Sequence, residues 1–216
     1  GDKVKSEFID REAFELLLDI MRDDNALALR VSLATGLRIG DVLSLRPQDV
    51  HADGVISCTC QKTGKPFTAS VSARMVRALS GNANYLWVFP SPRKPTEHKT
   101  RQAVWADIKR AVRLCGLTKN ITPHSARKIF AVGEFRRNGL EAVQNELQHD
   151  RISTTMIYAF SDLLGGKRRQ FAPERGTNEG NSPEFVEKFV ESLVENLGGA
   201  EALRRALWAS LTETFP

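Results

Sequence analysis

Tyr158 carries a phenol whose pKa near 10 leaves roughly one group in a thousand ionised at neutral pH. It can act as a nucleophile only beside cations or bases that lower the cost of ionising it. The chain supplies such groups at short spacings. His149 precedes Tyr158 by nine residues, across Asp150, Arg151 and Ile152 and then the hydroxyl-rich Ser153, Thr154 and Thr155. His124 and Arg127 stand three apart, a spacing that places two side chains on one helix face. Arg38 follows Gly36 and Leu37 at the start of a short helix, a position where phosphate is readily bound. Taken singly, each residue has an ordinary explanation: a half-buried packing tyrosine, a capping histidine, a surface arginine. Their order along the chain is the informative feature.

Three segments carry a resemblance to a known family. Residues 34–45, which read Ala34, Thr35, Gly36, Leu37, Arg38 and then Asp41 three positions on, are similar to a glycine-leucine-arginine box. Residues 122–127, Thr-Pro-His-Ser-Ala-Arg, are similar to a histidine-x-x-arginine box. Residues 147–158, Leu-Gln-His followed by paired threonines and Tyr158, are similar to the third box of the same set. Together, over about residues 8–162, the chain resembles the tyrosine recombinase (phage integrase) family. It departs from the family pattern at Gln148, where glycine is usual, at Ala126, where leucine is frequent, and at Lys128, where a histidine is common. None of the three is an active-site position of the family.

The resemblance implies a catalytic set of Arg38, Lys62, His124, Arg127, His149 and Tyr158. The family's lysine sits on a hairpin between the first two boxes, where Lys62 is the match and Lys65 its local competitor. It also implies that Tyr158 attacks a DNA phosphodiester to form a 3′-phosphotyrosyl link, with no cofactor, no metal and no ATP. Two guanidiniums suit the extra charge on the non-bridging oxygens, since each can fork two hydrogen bonds onto them. The histidines suit proton transfer near neutral pH. The implied partner is double-stranded DNA, bound by a tetramer on two duplexes in the cytoplasm of a bacterial or phage-infected cell. A type IB topoisomerase or telomere resolvase shares the pocket chemistry, and a DNA-binding module with decayed catalysis is the alternative of another class. Family members usually carry a separate DNA-binding domain before the catalytic one. This chain begins close to the first catalytic helix, so weak DNA binding by itself is expected.

Local patterning supplies the elements that must position these residues. Apolar spacing predicts helices over residues 7–22, with Asp10 as N-cap, and over 26–34, ending at Gly36. A short helix over 39–45 stops before Pro47. Asp53-Gly54 and the turn at Lys62-Thr63-Gly64-Lys65 separate three short antiparallel strands. Further helices are expected over 73–79, 100–115, 125–137, 140–147 and 153–160, with a basic loop bearing Arg93, Lys94, Lys99 and Arg101 before the second of these. The expected fold is α+β and mainly helical, with a small three-stranded antiparallel sheet packed beside a helical body.

Charge and composition bound the rest. Residues 176–216 hold Lys188, Arg204 and Arg205 against seven glutamates, a net of −4 within the total of +5, which leaves +9 on the first 175 residues. A basic body suits a phosphate-rich partner. Residues 1–164 are expected to form the catalytic domain, 165–182 a linker, and 183–216 a helical appendage that packs on its own domain or docks on a neighbouring copy. No run of eighteen apolar residues is present to span a membrane. Cys58, Cys60 and Cys115 do not make a disulfide framework or a four-ligand zinc site, and are expected to be small buried residues of a reduced protein.

Overall fold

The computed structural model describes residues 9–146, with side-chain surroundings through Glu134. These residues lie within one compact unit, Gly1–Gln148. The helix expected over 153–160, the linker and the appendage fall outside the described residues.

Asp10 starts the first helix by accepting the Ala13 N–H on its carboxylate at 2.8 Å, one of the amides that a helix start leaves without a partner. Helix α1, Arg11–Ile20, then buries Phe14, Leu17 and Leu18 on a single face. Helix α2, Asp23–Thr35, differs in being buried nearly all round. It packs against α1 and against every later helix of the described region. Small residues such as Ala26, Ala28 and Ser32 let those neighbours approach closely, and its buried hydroxyls find partners within the helix end. Ser32 Oγ donates to Leu37 O at 2.7 Å, and Thr35 Oγ1 donates to Val31 O at 2.8 Å. The helix stops at Gly36, whose φ of 71° is the left-handed conformation that favours glycine.

Helix α3, Ile39–Leu43, follows at once, and a 3₁₀ turn at Pro47–Asp49 leads to the sheet. Strands β1, Val55–Thr59, and β2, Pro66–Ser70, pair antiparallel with Val55 opposite Ser70 and Thr59 opposite Pro66. The expected third strand is reduced to a single bridge between Val50 and Ile56. Its residues are consumed on both sides. The 3₁₀ turn ends at Asp49, and the chain reverses immediately after His51, whose N–H donates to Val55 O at 2.8 Å. The reversal uses Gly54 at φ 91°, where a Cβ would stand 2.7 Å from Val71 O.

Helix α4, Ala73–Asn82, is capped by Ser72 and runs three residues beyond its expected end. Helix α5, Arg101–Leu114, is capped by Thr100 and buries Val104, Ile108, Ala111 and Val112. Between them, the loop is stitched to the core by Val88 N–H to Leu45 O at 2.9 Å and Lys99 N–H to Phe89 O at 2.8 Å. Lys99, grouped by sequence with the basic residues of this loop, is only 4% exposed.

Helix α6, Pro123–Glu146, is one continuous helix where two were expected. Gly139 does not break it, because an isolated glycine costs only about 1 kcal/mol and no proline follows to enforce a stop. Pro123 opens the helix, where its missing N–H would have had no partner anyway. The cysteines divide: Cys60 is buried, Cys58 half-buried and Cys115 exposed, so the expectation of three buried thiols fails for the last two. Burial, then the neighbouring Cys60, Asp41 and Asp49, push the Cys58 thiol up to about 12, which leaves it protonated and inert.

Candidate active site

The site forms where the left-handed turn at Gly36 ends α2. That turn leaves the Gly36 carbonyl pointing out of the helix, and Arg127, one turn into α6, donates an Nη1 hydrogen bond to it. Arg127 is only 8% exposed. Arg38 stands two residues past the same turn as the N-cap of α3, half-buried. A single backbone feature thus anchors one arginine and sets the position of the other. Burial, then the positive charge of Arg38, lower the Arg127 pKa to about 10, while Asp41 and Cys60 act in the opposite sense. Arg127 stays protonated at neutral pH. Arg38 has no hydrogen-bond or ion-pair partner among the described residues, so its five donors remain available.

His124 sits one turn before Arg127, held by a cap in which its N–H donates to Thr122 Oγ1 at 3.3 Å. Thr122 N–H donates in turn to Ser125 Oγ at 3.2 Å. The residue as a whole is open to solvent. Desolvation by the surrounding chain is nevertheless the first cause of a lowered imidazolium pKa, and Arg127, Lys128, Arg38 and Arg101 add to it. At neutral pH the ring is therefore the uncharged form, able to accept a proton on one nitrogen and donate from the other.

Lys62 lies on the exposed tip of the β1–β2 hairpin. The tip closes through Cys60 N–H to Lys65 O at 3.0 Å and Gly64 N–H to Cys60 O at 2.8 Å. It is also tied to α3, because Asp41 Oδ1 accepts the Gln61 N–H at 2.8 Å. Lys62 is thus the residue immediately after the tether. Asp41 is only 4% exposed, and its second oxygen has no hydrogen-bond partner. Its charge acts on Arg127 and on Cys60. The sequence marked Asp41 as part of the arginine box without giving it a role, and the structure supplies one: a buried carboxylate behind the cations that also anchors the lysine-bearing tip.

Of the six sequence-predicted residues, the structure brings Arg38, His124 and Arg127 into one electrostatic group and sets Lys62 on a tip tethered to α3. His149 and Tyr158 lie outside the described residues. Arg101 is a residue that sequence reasoning counted only as a loop cation. A Cβ built on Gly40 would lie 3.4 Å from its Cδ and 4.0 Å from its Nε, so its side chain runs along the first turn of α3. The site is an electropositive cluster with one buried carboxylate beside it, chemistry suited to a tetrahedral or pentacoordinate oxyanion. Among the described residues, no group of three or more His, Cys, Asp or Glu could hold a metal. No helix there is long and apolar enough to cross a membrane.

With this geometry in place, the class of protein follows from comparison. The chain belongs to the phage integrase family, whose model matches residues 7–163. Among curated proteins it is 32% identical over 139 residues to tyrosine recombinase XerD of Lacticaseibacillus casei, covering 58% of this chain and 46% of that protein. It is 27% identical over 175 residues to the integrase of Escherichia phage P2, covering 80% of this chain and 45% of that one. The chain spans about half the length of the curated relatives it matches. Among solved structures, lambda integrase bound to DNA superposes with a TM-score of 0.61 at 18% identity, over 74% of this chain and 62% of that one. Lambda integrase has also been solved as a tetramer bound to a Holliday junction. The likeness shows the same mainly helical α+β fold with its small antiparallel sheet.

Proposed function

We propose that this chain is the catalytic domain of a site-specific recombinase that cuts and rejoins double-stranded DNA through Tyr158. The observation that carries the reading is the electrostatic grouping of Arg38, Arg127 and His124 about the Gly36 turn, with the Arg38 donors left for a phosphate. The Tyr158 phenolate attacks phosphorus, a new phosphorus–phenol oxygen bond forms, and the bond to the 5′ oxygen breaks. Arg38 and Arg127 hold the two non-bridging oxygens as charge builds there, a contribution of about 3–4 kcal/mol per donor in comparable sites. Neutral His124, with His149, takes the phenol proton, and Lys62 returns one to the departing 5′ oxygen. The phosphoester energy is kept in the 3′-phosphotyrosyl link. A 5′-hydroxyl can therefore reverse the step on the same or a second strand without ATP.

Family membership over residues 7–163 supports placing the catalytic domain at 1–164. The lambda integrase tetramer on a Holliday junction supports assembly of four copies on DNA. The bacterial and phage relatives support action in a bacterial or phage-infected cell. The decisive experiment incubates the chain with a pool of nicked duplexes of randomised sequence and runs the products on a denaturing gel. Wild type is expected to yield a protein–DNA adduct that proteinase removes, and Tyr158→Phe none. An adduct with the phenylalanine chain, or none with wild type, rejects the mechanism.

A further inference from the structure

We infer that Arg101 is a further substrate-binding residue of this site, a third guanidinium that takes a DNA backbone phosphate next to the one held by Arg38 and Arg127. The inference rests on the recombinase reading above and extends its contact surface. Three observations carry it. The side chain is laid along the first turn of α3, with Cδ and Nε 3.4 Å and 4.0 Å from the Cβ position of Gly40, on the helix that Arg38 caps. The Gln61 carboxamide oxygen lies 3.9 Å from the same point, which puts Arg101 beside the hairpin tip that carries Lys62. Its charge also reaches His124, together with those of Arg127, Lys128 and Arg38. Arg101 therefore joins the cationic cluster from α5 with its charge uncompensated: among the described residues it has no hydrogen bond or ion pair, and it is exposed.

Its place in α5 sharpens the point. Arg101 is the first residue of a fourteen-residue helix whose first turn holds no acidic residue. Helix N-termini favour anions and disfavour cations, because the aligned peptide dipoles put partial positive charge there. A cation at that position works against the helix it begins, and the positive potential it adds has no acid to absorb it. A phosphate oxygen satisfies both, accepting from the guanidinium and facing the positive end of α5. Backbone phosphate, rather than a base edge, is the partner because Arg101 lies along α3, the helix capped by Arg38, which the proposed mechanism assigns to a phosphate.

The test uses the full chain and a 30-base-pair duplex of arbitrary sequence, with affinity measured at several salt concentrations. Arg101→Gln is expected to weaken binding severalfold and to lower the slope of log affinity against log salt by about one unit, equally on a second duplex of unrelated sequence. Arg113→Gln, which removes the same charge from the last turn of α5, is expected to leave the slope nearly unchanged, since exposed charges are screened within about 10 Å at 0.1 M salt. In the DNA-free chain, Arg101→Gln is expected to move the His124 titration upward in NMR and to unfold at a temperature no lower than wild type. An unchanged salt slope, a loss confined to one of the two duplexes, or an unmoved His124 titration overturns the inference while leaving the recombinase reading intact. Wild type that binds neither duplex overturns that reading, and this one with it.

Discussion

The two ends of α2 both gather buried charge, and they treat it in opposite ways. At the N-terminal end, Lys99 pairs with Asp24 and donates to Asn25 Oδ1 at 2.9 Å. Asn25 in turn donates to Asp107 Oδ2 at 2.8 Å, and the Arg22 N–H reaches the same oxygen at 2.9 Å. Arg110 completes the set on Asp107 Oδ1 at 2.7 Å and ties Ile20 O through the same guanidinium at 2.9 Å. Lys99, Asp24, Asp107 and Arg110 all have partners there. At the C-terminal end, Arg38 and Arg101 have none among the described residues, and one oxygen of Asp41 is buried without one. A closed network fixes where α1, α2 and α5 meet, whereas an open one stores binding capacity for a charged ligand. The same helix carries a clamp at one end and a receptor at the other.

The largest effect is expected at the open end, and on activity alone. Arg38→Ala is expected to reduce the rate of adduct formation by about 10²–10³-fold, the scale of losing a donor to the developing oxyanion. Its folding free energy should stay within about 0.5 kcal/mol of wild type, because no native hydrogen bond is lost. Arg38→Lys should recover little of the rate, since a point charge does not replace a planar fork. Single-turnover cleavage and urea denaturation on the same preparations check both halves. A chain that loses stability and activity in proportion would place Arg38 in the structural class and erase the contrast.

Lys99 reverses that pattern. Lys99→Met is expected to cost about 3 kcal/mol of stability, near the low end for removing one partner of a buried pair. The low end applies because Asp24 keeps 32% of its side-chain surface exposed and can turn to water. Adduct formation by the folded fraction should change less than threefold at a temperature well below the unfolding transition. A stability loss under about 1 kcal/mol, read from denaturation midpoints, would mean the network is ornament rather than clamp.

This contrast marks how far the sequence could be read. Arg38, His124 and Arg127 were legible because their positions are local: a glycine turn, and a three-residue spacing on one helix. Helices α1, α2, α3 and α5 were legible through caps and periodicity for the same reason. Lys99 was not, since nothing in its neighbours Glu97 and His98 signals burial, and its partners lie 75 and 74 residues away in the chain. Arg101 and Asp41 acquire their roles only when α5 and the hairpin tip meet α3. The overcounted third strand and the divided α6 share one cause. Asp53-Gly54 and Gly139 are real punctuation, but whether punctuation ends an element depends on pairing and packing beyond the local window.

Acid should separate the two ends a second time, with a smaller effect. Burial pushes the Asp107 carboxyl up, but hydrogen bonds from Asn25, the Arg22 amide and Arg110 outweigh it and leave the pKa below the ordinary 3.8. Its stabilisation is therefore present above 3.8 and lost as pH falls through the folded value, because the unfolded chain takes the proton first. His124 is likewise below its ordinary 6.5, so it favours folding above 6.5 and loses that contribution as pH falls through its own lower value. Denaturation midpoints from pH 8 to 3 should thus decline in two stages, one beginning below 6.5 and another below 3.8. His124→Gln should remove only the first. Asp107→Asn should cost about 2 kcal/mol at neutral pH, the scale of hydrogen bonds to a charged group, and flatten the second. A first stage that survives His124→Gln would assign it to another group and remove His124 from the contrast between the two ends.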